Sequence, residues 1–345
     1  MFGADELGID LGTSVFRIIA KGKGIVLSEP SYVAYDIHTR DVTAIGEEAE
    51  TMYGKTPAGF LVERPLHDGQ IHSYDLVNRM VRYFIRKVIG KRNLFRPRVL
   101  LALPAGMALS ERDALIDIIL ESGIRSVIPV DENVASAIGG GLRIDQPYGR
   151  MNIDIGAGRT NVSVFSFGHQ VIWRQLWVGG DRFNEAIIDY LRKKHNLLIG
   201  DRTAEDLKIN IGSARLRGMT LETWAYGRSL VSGLPRAVQI TSDEMNEALS
   251  DPVRELVNSI QRIIENTPPE LASDIFEEGI TLSGGGARLY GLDGMLTDQM
   301  NIQVTLADEP EYCTAHGLDE LMSHPERYEN VDLTSGAAAE KANGE

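Results

Sequence analysis

The strongest constraint on what this chain can fold into is a pattern that occurs twice. Gly8-Ile9-Asp10-Leu11-Gly12-Thr13-Ser14 and Asn152-Ile153-Asp154-Ile155-Gly156-Ala157-Gly158 share one order: an aspartate between aliphatic residues, a glycine, two small residues, then a second apolar run. Apolar stretches on both sides of a tight glycine turn read as a β-hairpin. The copies begin at positions 8 and 152, in a chain of 345 residues, a length that suits two packed lobes better than one core. The match spans few positions, and a chain with 35 glycines can produce one by chance.

Support for a duplication comes from what lies between and beyond the copies. Strands are expected at 7–11 and 15–20. A helix is expected over 75–90, where Leu76, Val77, Met80, Val81, Phe84, Ile85, Val88 and Ile89 repeat at three and four. A buried strand at 99–103, a helix capped by Ser110 and running to about 122, and a short strand at 127–130 follow. The second copy starts with strands at 151–155 and 160–167. Asp181 opens a helix carrying Phe183, Ile187, Ile188 and Leu191 on one face, and Thr203 opens another with Leu207 and Ile211. Residues 243–266 also read as helix, with Asp251 as the N-cap of a new segment and Pro252 at its first position. The last strand is expected at 279–282, and the tail from about Val331 reads as disordered. Strands alternating with helices give an α/β fold, in which ligands bind beyond the carboxyl ends of strands.

Composition narrows the function classes. Hydrophobic residues make up 43% and charged residues 24%, as in folded soluble domains. Forty-nine acidic against 35 basic side chains leave a net charge of −14, which repels phosphate backbones, so no nucleic-acid partner is expected. One cysteine, Cys313, excludes an intramolecular disulfide and fits a reducing compartment. The first residues lack a basic region followed by an apolar core, so no signal peptide is expected. The apolar run at 99–103 is stopped by Pro104, far short of the roughly 20 residues a membrane span needs. The cytoplasm is the expected location.

Three glycine turns follow strands: Gly12-Thr13-Ser14, Gly156-Ala157-Gly158 and Gly284-Gly285-Gly286. Backbone amides in such turns approach phosphate oxygens because no Cβ intervenes. Asp10 and Asp154 stand two residues before the first two turns, where carboxylates either hold a hydrated Mg²⁺ or cap the turn itself. The order and spacing of the three turns resemble the actin, Hsp70 and sugar-kinase superfamily. Asp131-Glu132-Asn133-Val134-Ala135-Ser136-Ala137-Ile138-Gly139 resembles its connecting helix. Ile199-Gly200-Asp201-Arg202-Thr203-Ala204-Glu205, Ile211-Gly212-Ser213-Ala214 and Thr267-Pro268-Pro269-Glu270-Leu271-Ala272 extend the match to the bacterial MreB type, over roughly residues 5–325.

The resemblance implies an actin-like fold of two related lobes around a nucleotide cleft. Lobe I would take residues 1–150 with an insertion at about 32–78, and lobe II residues 151–310 with an insertion at about 183–250. Residues 311–345 would form a C-terminal helix and tail. ATP and Mg²⁺ are the implied cofactors. Gly12, Thr13, Ser14, Gly156, Ala157 and Gly158 would face the phosphates, and Asp10 and Asp154 would hold the Mg²⁺ through water. Gly284, Gly285 and Gly286 would cover the adenosine, with Glu205 and Lys208 near ribose and base. Glu132 would position the attacking water, a task suited to a carboxylate, or would be a surface glutamate favoured by the helix dipole.

The loops depart from the family pattern. Val15 and Phe16 stand where MreB proteins usually have Asn-Thr, Ala157 replaces a glycine, Arg159 a threonine and Asn161 a glutamate. Asn133 replaces the proline that usually follows the glutamate. Arg159 either restores positive charge near the phosphates or points to solvent. Nucleotide binding is therefore expected more firmly than fast hydrolysis.

One local charge reversal remains. Eight basic and no acidic residues lie between Arg79 and Arg98, ending in Lys91-Arg92-Asn93-Leu94-Phe95-Arg96-Pro97-Arg98. Leu94 and Phe95 inside a basic rim suit insertion into a membrane interface, at the position of the family's insertion loop, or else fold back onto the core. Taken together, the resemblance implies an ATP-dependent, self-polymerising cytoskeletal protein, peripheral on the inner face of the cytoplasmic membrane. Its partners would be other copies of itself and the cell-wall elongation machinery that sets rod shape. The rival readings are a nucleotide-binding, hydrolysis-poor paralogue that co-polymerises, and a soluble actin-fold kinase of small molecules.

Overall fold

The first glycine turn joins two strands, Glu6–Leu11 and Val15–Ala20, paired antiparallel with Asp10 opposite Arg17. In the computed structural model, which describes residues 5–67, 70–90 and 96–334, the chain divides into two units. One holds Met1–Tyr148, Ser163–Trp173 and Glu311–Glu345, the other Gly149–Val162 and Arg174–Pro310.

In the first unit, a mixed sheet runs Ser126–Asp131, Arg98–Leu103, Glu6–Leu11, Val15–Ala20, Gly24–Pro30. The first three strands are parallel and the last two antiparallel. Side chains alternate across the sheet. Leu7, Ile9, Leu11, Phe16 and Ile18 share a core with the Tyr74–Ile89 helix, whose eight buried apolar residues are those the periodicity names. Phe16 is fully buried and stacks on Phe84, centroids 4.9 Å apart. The opposite face carries Ile19, Leu100 and Ala102, covered by the Glu132–Gly139 and Cys313–Ser323 helices. Asp10 and Arg17 belong to this second face, beside Ala102 in register. A three-stranded sheet of Val42–Ile45, Val33–Asp36 and Phe60–Glu63 with the Glu47–Met52 helix forms a satellite around Ala34, Ala44, Ala49 and Val62.

The other five-stranded sheet runs His169–Leu176, Thr160–Ser166, Arg150–Ile155, Ile280–Ser283, Val304–Leu306; its first two strands are shared between the units. The strand order matches that of the first sheet, with the glycine-turn strand central and parallel to its crossover neighbour. The duplication read in the sequence is thus also one of topology. A second satellite sheet, Leu197–Leu198, Glu222–Ser229 and Pro235–Thr241, lies among the Gly180–His195, Asp201–Ile211 and Ser242–Glu265 helices.

Several local expectations change. Ser110 does not cap its helix: Ala108 is the N-cap, its carbonyl accepting from the amides of Glu111 and Arg112, and Ser110 is the second helical residue. Thr203 likewise sits inside a helix that begins at Asp201. Asp251 caps nothing, because Ser242–Glu265 is one continuous helix with Pro252 inside it. Thr241 and Glu244 form a capping box at its start, and Met245, Leu249, Val253, Leu256, Val257 and Ile260 make an unbroken buried stripe. That packing outweighs the one hydrogen bond the proline removes. Val304–Leu306, too short and too exposed to stand out, follows the strand expected to be last. The tail is ordered further than expected: Val331 is buried, and the Leu333 carbonyl accepts from the Asp131 amide at 2.7 Å.

Candidate functional site

The site residues fall into two groups, one in each unit. In the first unit, the Gly12 amide donates to the Val15 carbonyl at 3.1 Å and closes the turn. A Cβ on Gly12 would stand 2.7 Å from that same carbonyl oxygen, so the turn requires glycine. Ser31 holds it from outside: its hydroxyl donates to the Gly12 carbonyl and its amide to the Ser14 carbonyl, both at 2.9 Å. Thr13 and Ser14 are half-buried beside it. Asp10 accepts from Arg17 Nη1 at 3.1 Å, with each side chain 13% exposed. The Arg17 guanidinium also lies over the Tyr312 ring, 5.1 Å from its centroid. Burial pushes the Asp10 carboxyl above its ordinary range against the pull of Arg17, and the negative charge of Glu132 adds to the rise. Glu132 is the first residue of its helix and half-buried, not a surface glutamate, and Asp131 caps the helix by accepting from the Asn133 amide at 2.8 Å.

In the second unit, the start of a helix sits on the second turn. The Gly180 and Asp181 amides donate to the carbonyls of Gly156 and Ala157 at 3.0 and 2.8 Å, while the Gly156 amide donates to Arg159 at 2.9 Å. Arg159 is 9% exposed, which removes the solvent-pointing reading. Lys208 Nζ donates to the Gly180 carbonyl at 3.1 Å and to Glu205 Oε2 at 2.7 Å, and Asn184 donates to the same oxygen at 2.7 Å. Glu205 and Lys208 are therefore joined to the second turn through the helix start. The third turn closes on Asp154. Gly284 has φ +83° and ψ 157°, and a Cβ there would collide with the Ile155 carbonyl and stand 2.5 Å from Asp154 Oδ1. Gly285 and Gly286 begin the short 3₁₀ turn Gly285–Arg288. Asp154, Gly156, Ala157, Glu205, Lys208, Gly284 and Gly286 are thus one linked set, with Gly158 and Gly285 next to its members in the chain.

Sequence reasoning missed Ser31, Arg17, Gly180 and Asn184. Arg17 was within reach, because a hairpin closing on Gly12 places it opposite Asp10; Ser31 gave no local signal. Leu94 and Phe95 lie outside the described residues. Within the basic stretch, Arg79, Arg82, Lys87 and Arg98 pair with Asp75, Glu121, Glu29 and Glu6, so much of its charge is engaged by neighbouring elements. No helix among the described residues is long and apolar enough to cross a membrane. None of their His, Cys, Asp and Glu side chains gathers in threes to hold a metal. Asp10 and Asp154 are each half-buried, one in either unit.

The model of the MreB/Mbl protein family matches residues 4–330. The cell shape-determining protein Mbl of Bacillus cereus is 39% identical over 324 residues, covering 94% of this chain and 97% of that protein. The cell shape-determining protein MreB of Escherichia coli is 40% identical over 320 residues, 91% and 92% of the two chains. The crystal structure of MreB 5 of Spiroplasma citri bound to AMPPNP superposes with a TM-score of 0.88 at 33% identity, covering 93% of this chain and 96% of that one. A chain of the MamK double helical filament shares the fold, with a TM-score of 0.76 at 18% identity. The chain therefore belongs to the MreB/Mbl family of cell shape-determining cytoskeletal proteins and has its actin-like α/β fold.

Proposed function

We propose that this chain binds ATP with Mg²⁺ and polymerises with copies of itself into filaments that lie on the inner face of the cytoplasmic membrane and guide cell-wall elongation. The observation that carries the nucleotide reading is the third turn: Gly284 is packed against Asp154 and Ile155 so closely that no side chain fits, which holds this glycine turn beside the end of the strand that leads into the second one. The S. citri relatives bound to AMPPNP and to ADP support the same class of ligand. The MamK filament supports self-association as a property of the fold.

In this reading the Gly12 and Gly156 amides close the two turns, the backbone that follows them at residues 13–14 and 157–158 faces the phosphate oxygens, and the Gly180–His195 helix start, with Lys208, holds the second turn in place. Asp10 and Asp154 hold waters of the Mg²⁺, which when bound screens the phosphate charge. Glu205 stands ready for the ribose, and Glu132 orients the water that cleaves the γ-phosphate, giving ADP and phosphate slowly. The hydrolysis-poor alternative draws on Phe16, whose side chain is committed to the core where the family carries polar residues. Mg·ATP should raise the melting temperature by mass action, and Asp10→Ala should remove most of that gain. A melting temperature unchanged across a wide range of Mg·ATP overturns the reading.

A further inference from the structure

We propose that Arg17 is a resident counter-cation of the first phosphate turn, which neutralises Asp10 and makes nucleotide binding less dependent on divalent metal. This rests on the reading that the chain binds nucleotide, and it names a residue that reading does not use.

Three features of the first unit place the charge. Arg17 stands directly opposite Asp10 in the hairpin that closes on Gly12, and donates to it at 3.1 Å. The Tyr312 ring centroid, 5.1 Å from the guanidinium carbon, adds a cation–π contact to the same group. The Nε–H is buried and has no hydrogen-bond partner among the described residues. A buried donor on a charged group without an acceptor is costly. An anionic oxygen arriving at the turn, or a water bound to it, supplies the missing acceptor. Guanidinium suits the task, since it presents five donors of which Asp10 takes one.

The consequence for metal follows from charge. An ionised Asp10 without Arg17 would bring a full negative charge to the first turn, repelling phosphate and attracting Mg²⁺. Paired with Arg17, Asp10 contributes a nearly neutral dipole with one carboxylate oxygen already engaged. Both changes act in one direction: metal-free nucleotide is repelled less, and the metal is held less tightly. The side chains are each 13% exposed, so solvent screens the pair weakly. Arg17 also compensates for the polar loop residues that Val15 and Phe16 replace.

The test is the affinity of the full chain for a fluorescent ATP analogue, measured in saturating Mg²⁺ and in EDTA. The ratio of the two dissociation constants reads the metal dependence. Arg17→Leu should raise that ratio at least about tenfold over wild type, and Arg17→Lys, which keeps the charge, should stay within about threefold. Circular dichroism identifies folded variants. If Arg17→Leu does not fold, Arg17→Gln, an uncharged donor, is read in its place. The same ratio in wild type and in the uncharged variant overturns the proposal while leaving nucleotide binding intact. A wild type that binds no analogue with or without metal overturns both readings.

Discussion

Gly284→Ala is the substitution whose outcome the structure determines most sharply. The backbone at 284 has φ +83° and ψ 157°, a region that only glycine occupies freely and that costs another residue about 1–3 kcal/mol. The added Cβ would also meet the Ile155 carbonyl and Asp154 Oδ1, the latter at 2.5 Å. The Ile155 carbonyl is backbone and cannot swing aside as a side-chain end can, so the turn must shift, at about 1–3 kcal/mol more. The sum is a loss of about 2–6 kcal/mol, together with displacement of Asp154. Gly141→Ala separates the two effects: Gly141 has φ +82° with nothing within 4 Å of its added Cβ, so it should lose only about 1–2 kcal/mol. Urea denaturation of the three proteins gives the stabilities, and thermal shift with Mg·ATP gives the ligand response. Gly284→Ala should lose most of that response and Gly141→Ala should keep it. Equal stability losses, or a full nucleotide response in Gly284→Ala, would refute the reasoning.

Glu132→Ala should slow phosphate release by about 10²- to 10⁴-fold with ATP affinity nearly unchanged; a coupled loss of affinity would show that Glu132 serves binding and not water placement. Thr241→Ala removes one half of a capping box and should destabilise the second unit by about 1 kcal/mol, read by urea denaturation. Burial pushes the Glu244 carboxyl up, but the Thr241 amide and His195 bring it below its ordinary value of 4.5. Its native carboxyl is lowered, so the stability it contributes is present above 4.5 and lost as pH falls through the lower native value. Thr241→Ala keeps that amide and His195, so the variant should keep this acid dependence while losing the cap, and a flattened acid limb would count against the assignment. Leu94→Ala with Phe95→Ala should release filaments from anionic liposomes in a sedimentation assay without blocking assembly in solution, because one loop binds weakly and many bind through avidity. Unchanged co-sedimentation would remove these residues from the membrane contact.

Much of the fold was legible because period and packing agree. The eight apolar positions between Leu76 and Ile89 lie on one helical face and are all buried. The glycine-turn hairpin gave both central strands, and its repeat gave both sheets. Helix starts were less legible, since an ordinary residue in extended conformation, Ala108, displaces the better capping residue Ser110. The proline at 252 misled for a related reason: a proline reads as a boundary locally, but a buried stripe running through it is a tertiary fact. At the site, the glycines announce themselves by type. Their supports do not, since Ser31 reaches back 19 residues to Gly12 and Lys208 reaches 28 to Gly180. Arg17 is intermediate, visible only once the hairpin register is drawn.

The central claim is that nucleotide bound at these turns drives self-assembly. The most direct measurement is electron microscopy of the purified chain with Mg·ATP, without nucleotide, and as Asp10→Ala with Mg·ATP, at one protein concentration. Filaments with Mg·ATP, and few or none in the other two samples, are the predicted result. Filaments equally abundant in all three, or absent from all three, would contradict the account.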